Sequence, residues 1–209
     1  MKKAVLPKDY PDLDVSMMEI NLVQGADRVL DAMTTKSSKA AAKFLKELGV
    51  NIHLDVRVTN YDGKTVTTMG GLSFNSQAVI WSAGVKGAAV EGVNEAVDRA
   101  SRIRVNEFNQ VEGFNDVFAI GDVAAMYGEK YKFGHPMMAQ PAIQQGELLA
   151  ENLERLQRKQ SLKSFSYNDK GSMATIGRNK AVVDLPKLHF NGVFAWFVWM
   201  FVHLMSLIG

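Results

Sequence analysis

In the stretch "NDVFAIGDVAAM", residues 115–126, four apolar residues, Val117 to Ile120, run into Gly121 and Asp122. A glycine at the end of a strand lets a ligand approach the backbone, and the carboxylate beside it accepts hydrogen bonds from sugar-like hydroxyls. The plainer reading is a turn aspartate capping the segment that follows. Beside Gln145, at the start of a helical pattern, stand Gln140 and Gln144. Their amides donate and accept hydrogen bonds without carrying a charge into apolar surroundings, although ordinary polar positions at a helix start look the same. Lys170, in "DKGSMATIG", offers a cation to developing negative charge, or is a solvated turn lysine. Two further positions sit where chain direction changes: Gln24 after the apolar run "INLV", and Ala83-Gly84 after "AVIW". Arg28, close by, reads as a helix-surface residue rather than a phosphate contact.

Other chemistries are excluded. With no cysteine the chain has no disulfide, thiolate metal site or thiol nucleophile, so redox work needs a bound cofactor. His53, His135, His189 and His203 show no metal-ligand spacing, no metal site is expected, and no hydrolase triad emerges. Lys plus Arg number 24 against 22 acidic residues, and Trp81 and the other aromatics lack a basic stripe, so nucleic acid is not a partner.

The elements that must position these residues follow from patterning. "LPKDYPDLD" reads as a proline-punctuated loop and "MEINLVQG" as a strand ended by Gly25. "DRVLDAMTTKSSKAAAKFLKELGV" has helical content and spacing, with Phe44, Leu45 and Leu48 on one face and Gly49 as C-cap. Ile52, Leu54, Val56 and Val58 alternate toward a turn at Asp62-Gly63, a hairpin pattern, and "QAVIWSAG" reads as a strand covered on both faces. Strand, helix, hairpin, strand is the order of the latter half of a nucleotide-binding α/β unit. "RIRVNEFNQVEGFNDVFAIGD" predicts a second group of short strands, and "PAIQQGELLAENLERLQRKQ" a helix with Pro141 in its first turn. A β-like segment then leads to the tail "FNGVFAWFVWMFVHLMSLIG", in which Val193 to Met200 has no polar side chain. As a helix it falls short of the roughly 20 residues needed to span a bilayer, and Trp196 and Trp199 prefer the interface. It reads as a monotopic anchor or a buried helix; exposed, it should drive self-association.

"NDVFAIGDVA" resembles the second flavin-binding signature of the two-dinucleotide-domain flavoprotein reductases. Joined to "AQPAIQQGELLAENL" and "KGSMATIGRNKAVVDL", the chain from about Leu6 to Gly209 resembles type II NADH dehydrogenase, the non-proton-pumping NADH:quinone oxidoreductase. The resemblance implies an α/β fold with incomplete Rossmann-like halves and a C-terminal apolar helix. Residues 1–99 would be the C-terminal half of the NADH-binding domain, 100–160 the C-terminal part of the FAD-binding domain, and 161–209 a membrane-associating region. Asp122, with Gly121, would meet the ribityl chain of FAD. Ala139 and Gln140 would approach FAD through their backbone, Gln140 and Gln144 would line the flavin ring and quinone pocket, and Lys170 would stand near both. Ala83 and Gly84 would let the nicotinamide half of NADH pass. Gln24 departs from the family, which commonly has a glutamate on the adenosine ribose there, so discrimination between NADH and NADPH should be relaxed.

No G-x-G-x-x-G phosphate loop occurs, whereas the family carries two. The expectation is a C-terminal portion of a longer enzyme, inactive and without FAD or NADH by itself. The complete protein would pass electrons from NADH through FAD to quinone as a peripheral protein on the cytoplasmic membrane face, with a second copy of itself as a candidate partner. The alternatives are a membrane-associated binding or assembly module without flavin and a related flavoprotein such as a sulfide:quinone oxidoreductase.

Overall fold

The computed structural model describes residues 5–208, and the chain divides into two units: Met1–Ile80 with Gly171–Gly209, and Trp81–Lys170. The cuts lie at 80/81 and 170/171, where the sequence reading drew 99/100 and 160/161.

In the first unit the proline-rich lead is not all loop. Pro7 sits in the first turn of a four-residue helix, α1 (Leu6–Asp9), where its missing N–H costs nothing. A 3-10 turn follows at Val15–Met17, whose cap Asp14 accepts from the Ser16 N–H. β1 (Ile20–Val23) pairs in parallel with β2 (Val50–His53) through α2 (Thr35–Glu47), a β-α-β unit. Thr34 caps α2 by accepting from the Ser37 N–H. Gly49, at φ +82, ends the helix in the left-handed conformation expected of a C-terminal glycine.

The alternating run from Ile52 to Val58 is not one strand. Asp55, at φ 56, breaks it, so Ile52 belongs to β2 while β3 (Val58–Tyr61) pairs antiparallel with β4 (Thr65–Thr68). The Asp62-Gly63 hairpin turn is as expected, with the Asp62 carboxylate accepting from the N–H groups of Lys64 and Thr65. β5 (Ser73–Asn75) completes this three-stranded sheet. The expected strand "QAVIWSAG" is absent: residues 78–90 have no regular structure, and Ile80 is 91% exposed. An apolar run becomes a strand only where a neighbour completes the ladder, and among the described residues it has none.

β8 (Ser172–Gly177), β9 (Lys180–Leu185) and β10 (Leu188–Gly192) form an antiparallel meander with β9 in the middle. Alternation along β9 explains its burial. Val182 joins Val29 and Ala41 of the α2 side, while Ala181 and Val183 join Ala195 of α4 (Val193–Ile208). Each buried valine contributes about 1.5–3 kcal/mol of burial free energy. At the end of β9 the buried Asp184 accepts from Ser37 Oγ at 2.6 Å, from the Thr34 N–H at 2.7 Å and from Thr34 Oγ1 at 3.0 Å. It also pairs with His189 Nδ1 at 2.9 Å. One carboxylate thus ties the start of α2 to the meander.

In the second unit β6 (Ile103–Val105) pairs in parallel with β7 (Ala124–Met126), over a core of Val93, Ala96, Val111 and Ala119. The run Val117 to Ile120 is extended but makes a single bridge, Phe118 to Gln110, rather than a strand. The ordered strand begins after Gly121-Asp122, because β6 takes residues 124–126 as its partner. Arg102 is buried and donates to the carbonyls of Phe133, Ala124 and His135. That fixes the loop leading into α3 (Ala139–Gln157), the long helix of this unit.

Candidate functional site

Gly121–Val123 is a single 3-10 turn, and Gly121 takes φ +71, a conformation open to glycine. The turn lies against α3. A Cβ on Gly121 would stand 3.4 Å from the Ala142 Cβ, and Gly146 one turn on faces the Ile120 side chain. The Gly121 N–H donates to Gln145 Oε1 at 2.7 Å, and Gln145 is 1% exposed. A buried amide therefore holds the backbone of the turn and leaves Asp122 pointing out of the packing. Asp122 is exposed, and among the described residues no donor meets its carboxylate.

α3 opens beside this turn with Met138 as its N-cap, which supplies no side-chain acceptor. The N–H groups of Ala139 and Gln140 remain unpaired at a helix start where partial positive charge accumulates, and Pro141 has none to satisfy. Gln140 is half-buried, and its amide makes no hydrogen bond among the described residues. A carboxylate for hydroxyls, a backbone bare of Cβ, and helix N–H groups for an electron-rich edge fit a hydroxyl-bearing flavin dinucleotide.

Gln144 makes a two-way contact with the backbone at Asn168: its Nε2 donates to the Asn168 carbonyl, and its Oε1 accepts from the Asn168 N–H, both at 3.0 Å. Lys170, two residues on, is exposed and has no ion pair among the described residues. The turn at Gly121-Asp122, Ala139, Gln140, Gln144 and Lys170 are thus gathered in one unit, four of them on α3 or against it.

Gln24 lies in the other unit, beyond the end of β1, with its N–H on the His53 carbonyl and its side chain donating to the Arg28 carbonyl at 3.4 Å. Arg28 in turn donates to the Asp31 carbonyl. Ala83 and Gly84 are exposed, with Gly84 at φ +79 and open space where a Cβ would be. The second unit also holds a cleft of about 580 Å³ lined by Met126, Tyr131, His135, Phe165 and Tyr167. Burial, then the charges of Arg102 and Lys130, hold His135 below its ordinary pKa. No group of three or more His, Asp or Glu positioned for a metal occurs among the described residues.

Gln145 was not singled out from the sequence as a site residue. The available signal was its place on the inward stripe of α3 with Pro141 and Asn152, a polar residue at a core position of the helical period.

Residues 12–146 match the family model described as pyridine nucleotide-disulphide oxidoreductase. The chain belongs to this family. Residues 170–209 match the NDH2 C-terminal domain, which covers the β8–β10 meander and α4. Similar proteins include the type II NADH:quinone oxidoreductase Ndh of Mycobacterium tuberculosis, 34% identical over 96% of this chain and 44% of the relative. The type II NADH:quinone oxidoreductase of Haemophilus influenzae is 30% identical over 94% of this chain and 46% of the relative. The chain therefore spans a little under half the length of these relatives. In fold it is similar to the structure of NDH2 from Plasmodium falciparum in complex with NADH, with a TM-score of 0.86 at 17% identity, covering all of this chain and 58% of that one. A member of the pyridine nucleotide-disulphide oxidoreductase family with an NDH2 C-terminal domain is thus what "NDVFAIGD" and "KGSMATIGR" announced.

Proposed function

We propose that this chain works within an FAD-dependent NADH:quinone oxidoreductase and supplies the ribityl-facing and quinone-facing side of the flavin site. The observation that carries this reading is the unengaged Asp122 carboxylate on the Gly121 turn, set against the open N-terminus of α3. FAD, when bound, supplies the two-electron chemistry that links hydride donation by NADH to reduction of a quinone. Asp122 would hold FAD by accepting hydrogen bonds from its ribityl hydroxyls. Ala139 and Gln140 offer backbone N–H groups at the positive end of α3, which would favour electron density on a bound flavin. Gln140 presents an uncharged amide to a quinone carbonyl. Lys170 brings a cation near the site, which favours negative charge developing on reduction.

On the nucleotide side, Gln24 and the Ala83-Gly84 turn serve NADH. A glutamine repels a 2′-phosphate less than a glutamate does, so NADPH is expected to be used within about tenfold of NADH. A preference for NADH of several hundredfold in the holoenzyme contradicts that assignment. At the other end of the chain, α4 exposes Phe194, Phe197, Phe201, Leu204 and Ile208, spaced three or four apart, so they form one apolar face. No helix among the described residues is long and apolar enough to cross a membrane. α4 is assigned to the membrane surface, from which quinone is drawn.

The flavin reading is tested by replacing Asp122 with alanine in holoenzyme that contains this chain. FAD is expected to bind about tenfold more weakly, in line with the loss of a charge-assisted hydrogen bond. Unchanged FAD affinity would remove Asp122 from the site.

A further inference from the structure

The segment from Ser161 to Lys170 has no helix or strand, yet it is held along α3 by side chains that imitate a ladder. Near the end of α3, Asn152, fully buried, donates to the Lys163 carbonyl at 2.9 Å and accepts from the Lys163 N–H at 2.8 Å. Two turns earlier, Gln144 makes the same pair of contacts with Asn168. Arg155 adds a bond to the Ser161 carbonyl. The order of partners, 155 to 161, 152 to 163 and 144 to 168, shows the segment running antiparallel to the helix. Between the two amide clamps, the Phe165 N–H donates to the Glu107 carbonyl and its ring packs on the core of the unit. Adjacent to Gln144, Gln145 faces the other way and holds the Gly121 N–H.

We propose that Gln144 is a positioning residue: it fixes the backbone at Asn168 and thereby sets where the Lys170 ammonium stands, rather than serving mainly as a quinone contact. This role rests on the flavin and quinone reading given above. Neighbouring glutamines divide the work. Gln145 sets the Asp122 turn and Gln144 sets the approach to Lys170, so α3 fixes both loops relative to its own N-terminus. Asn152 anchors the segment upstream, and loss of Gln144 should therefore release residues near 168–170 without freeing the strap as a whole.

Hydrogen exchange of individual amides in the 209-residue chain tests the clamp without any cofactor. In the wild type the Asn168 and Gly121 amides are expected to be protected. Gln144→Leu should speed exchange at Asn168 by about tenfold and leave Gly121 and Lys163 as they were, and Gln145→Leu should do the reverse. Gln144→Glu, which keeps an acceptor for the Asn168 N–H, should restore most of the protection. An unprotected Asn168 amide in the wild type, or exchange there that ignores Gln144→Leu, overturns the proposal even if a variant folds poorly. In holoenzyme the same variants separate the two roles. A positioning residue predicts that Gln144→Glu recovers the quinone KM along with the protection. A KM that rises in both variants while Asn168 stays protected makes Gln144 a quinone contact and sinks the proposal. Correct exchange behaviour in a holoenzyme without NADH:quinone activity would leave the clamp standing and refute the functional reading instead.

Discussion

Two aspartates in this chain have opposite environments. Asp184 is buried under four hydrogen bonds, whereas Asp122 is exposed and engages no protein donor. Burial pushes the Asp184 carboxyl up, but the bonds from Ser37, Thr34 and His189 outweigh it and leave it below its ordinary value of 3.8. A carboxyl depressed by folding contributes stability that is complete above its unfolded-state pKa. That contribution is lost as pH falls below 3.8, which urea unfolding across the acid range measures. Asp184→Ala should remove it and cost about 3 kcal/mol at neutral pH, because three donors and a histidine lose their acceptor. Asp122→Ala should change stability by no more than about 0.5 kcal/mol, since nothing in the packing depends on it. The contrast explains what was legible here. Asp122 stood in a recognisable signature, while Asp184 and Gln145 act through partners 147 and 24 residues away, which spacing along the chain cannot reveal.

At the scale of elements, local signals served well where they were self-contained. The glycine after α2, the Asp62-Gly63 turn and Pro141 at the head of α3 all act within a few residues, and each stands as its sequence suggested, whereas the helix expected from Asp27 begins only at Thr35, after the Thr34 cap. "QAVIWSAG" and "VFAI" have strand composition but lack a ladder, so partner availability overrode propensity. Residues 165–170, expected to be β-like with the segment that follows them, form no strand and are instead ordered by the side chains of α3. The start of the meander depends on close approach: Gly171 has φ +98, and a Cβ there would fall 2.3 Å from the Asp184 carbonyl oxygen. Gly171→Ala is therefore expected to destabilise the first unit by about 3 kcal/mol or more, read as a lower midpoint in chemical denaturation. Gly128→Ala, with open space around its would-be Cβ, is the control and should stay within about 1 kcal/mol.

For the whole molecule, the proposed function gives α4 and the Gly121-Asp122 turn one chemical purpose: a quinone dissolved in lipid would meet the flavin site of an enzyme held at the membrane. α4 is expected to bring the chain down with lipid vesicles. Replacing Phe197 and Phe201 with aspartate should abolish that sedimentation while the circular dichroism of the chain is retained. Vesicle binding that survives the double substitution would point to another surface, and loss of self-association without loss of lipid binding would assign the face to a second copy. The most direct measurement of the central claim is anaerobic absorption spectroscopy of holoenzyme containing this chain. Addition of NADH should bleach the flavin band, and a quinone should restore it. A protein that holds no flavin, or whose flavin band ignores NADH, would contradict the claim.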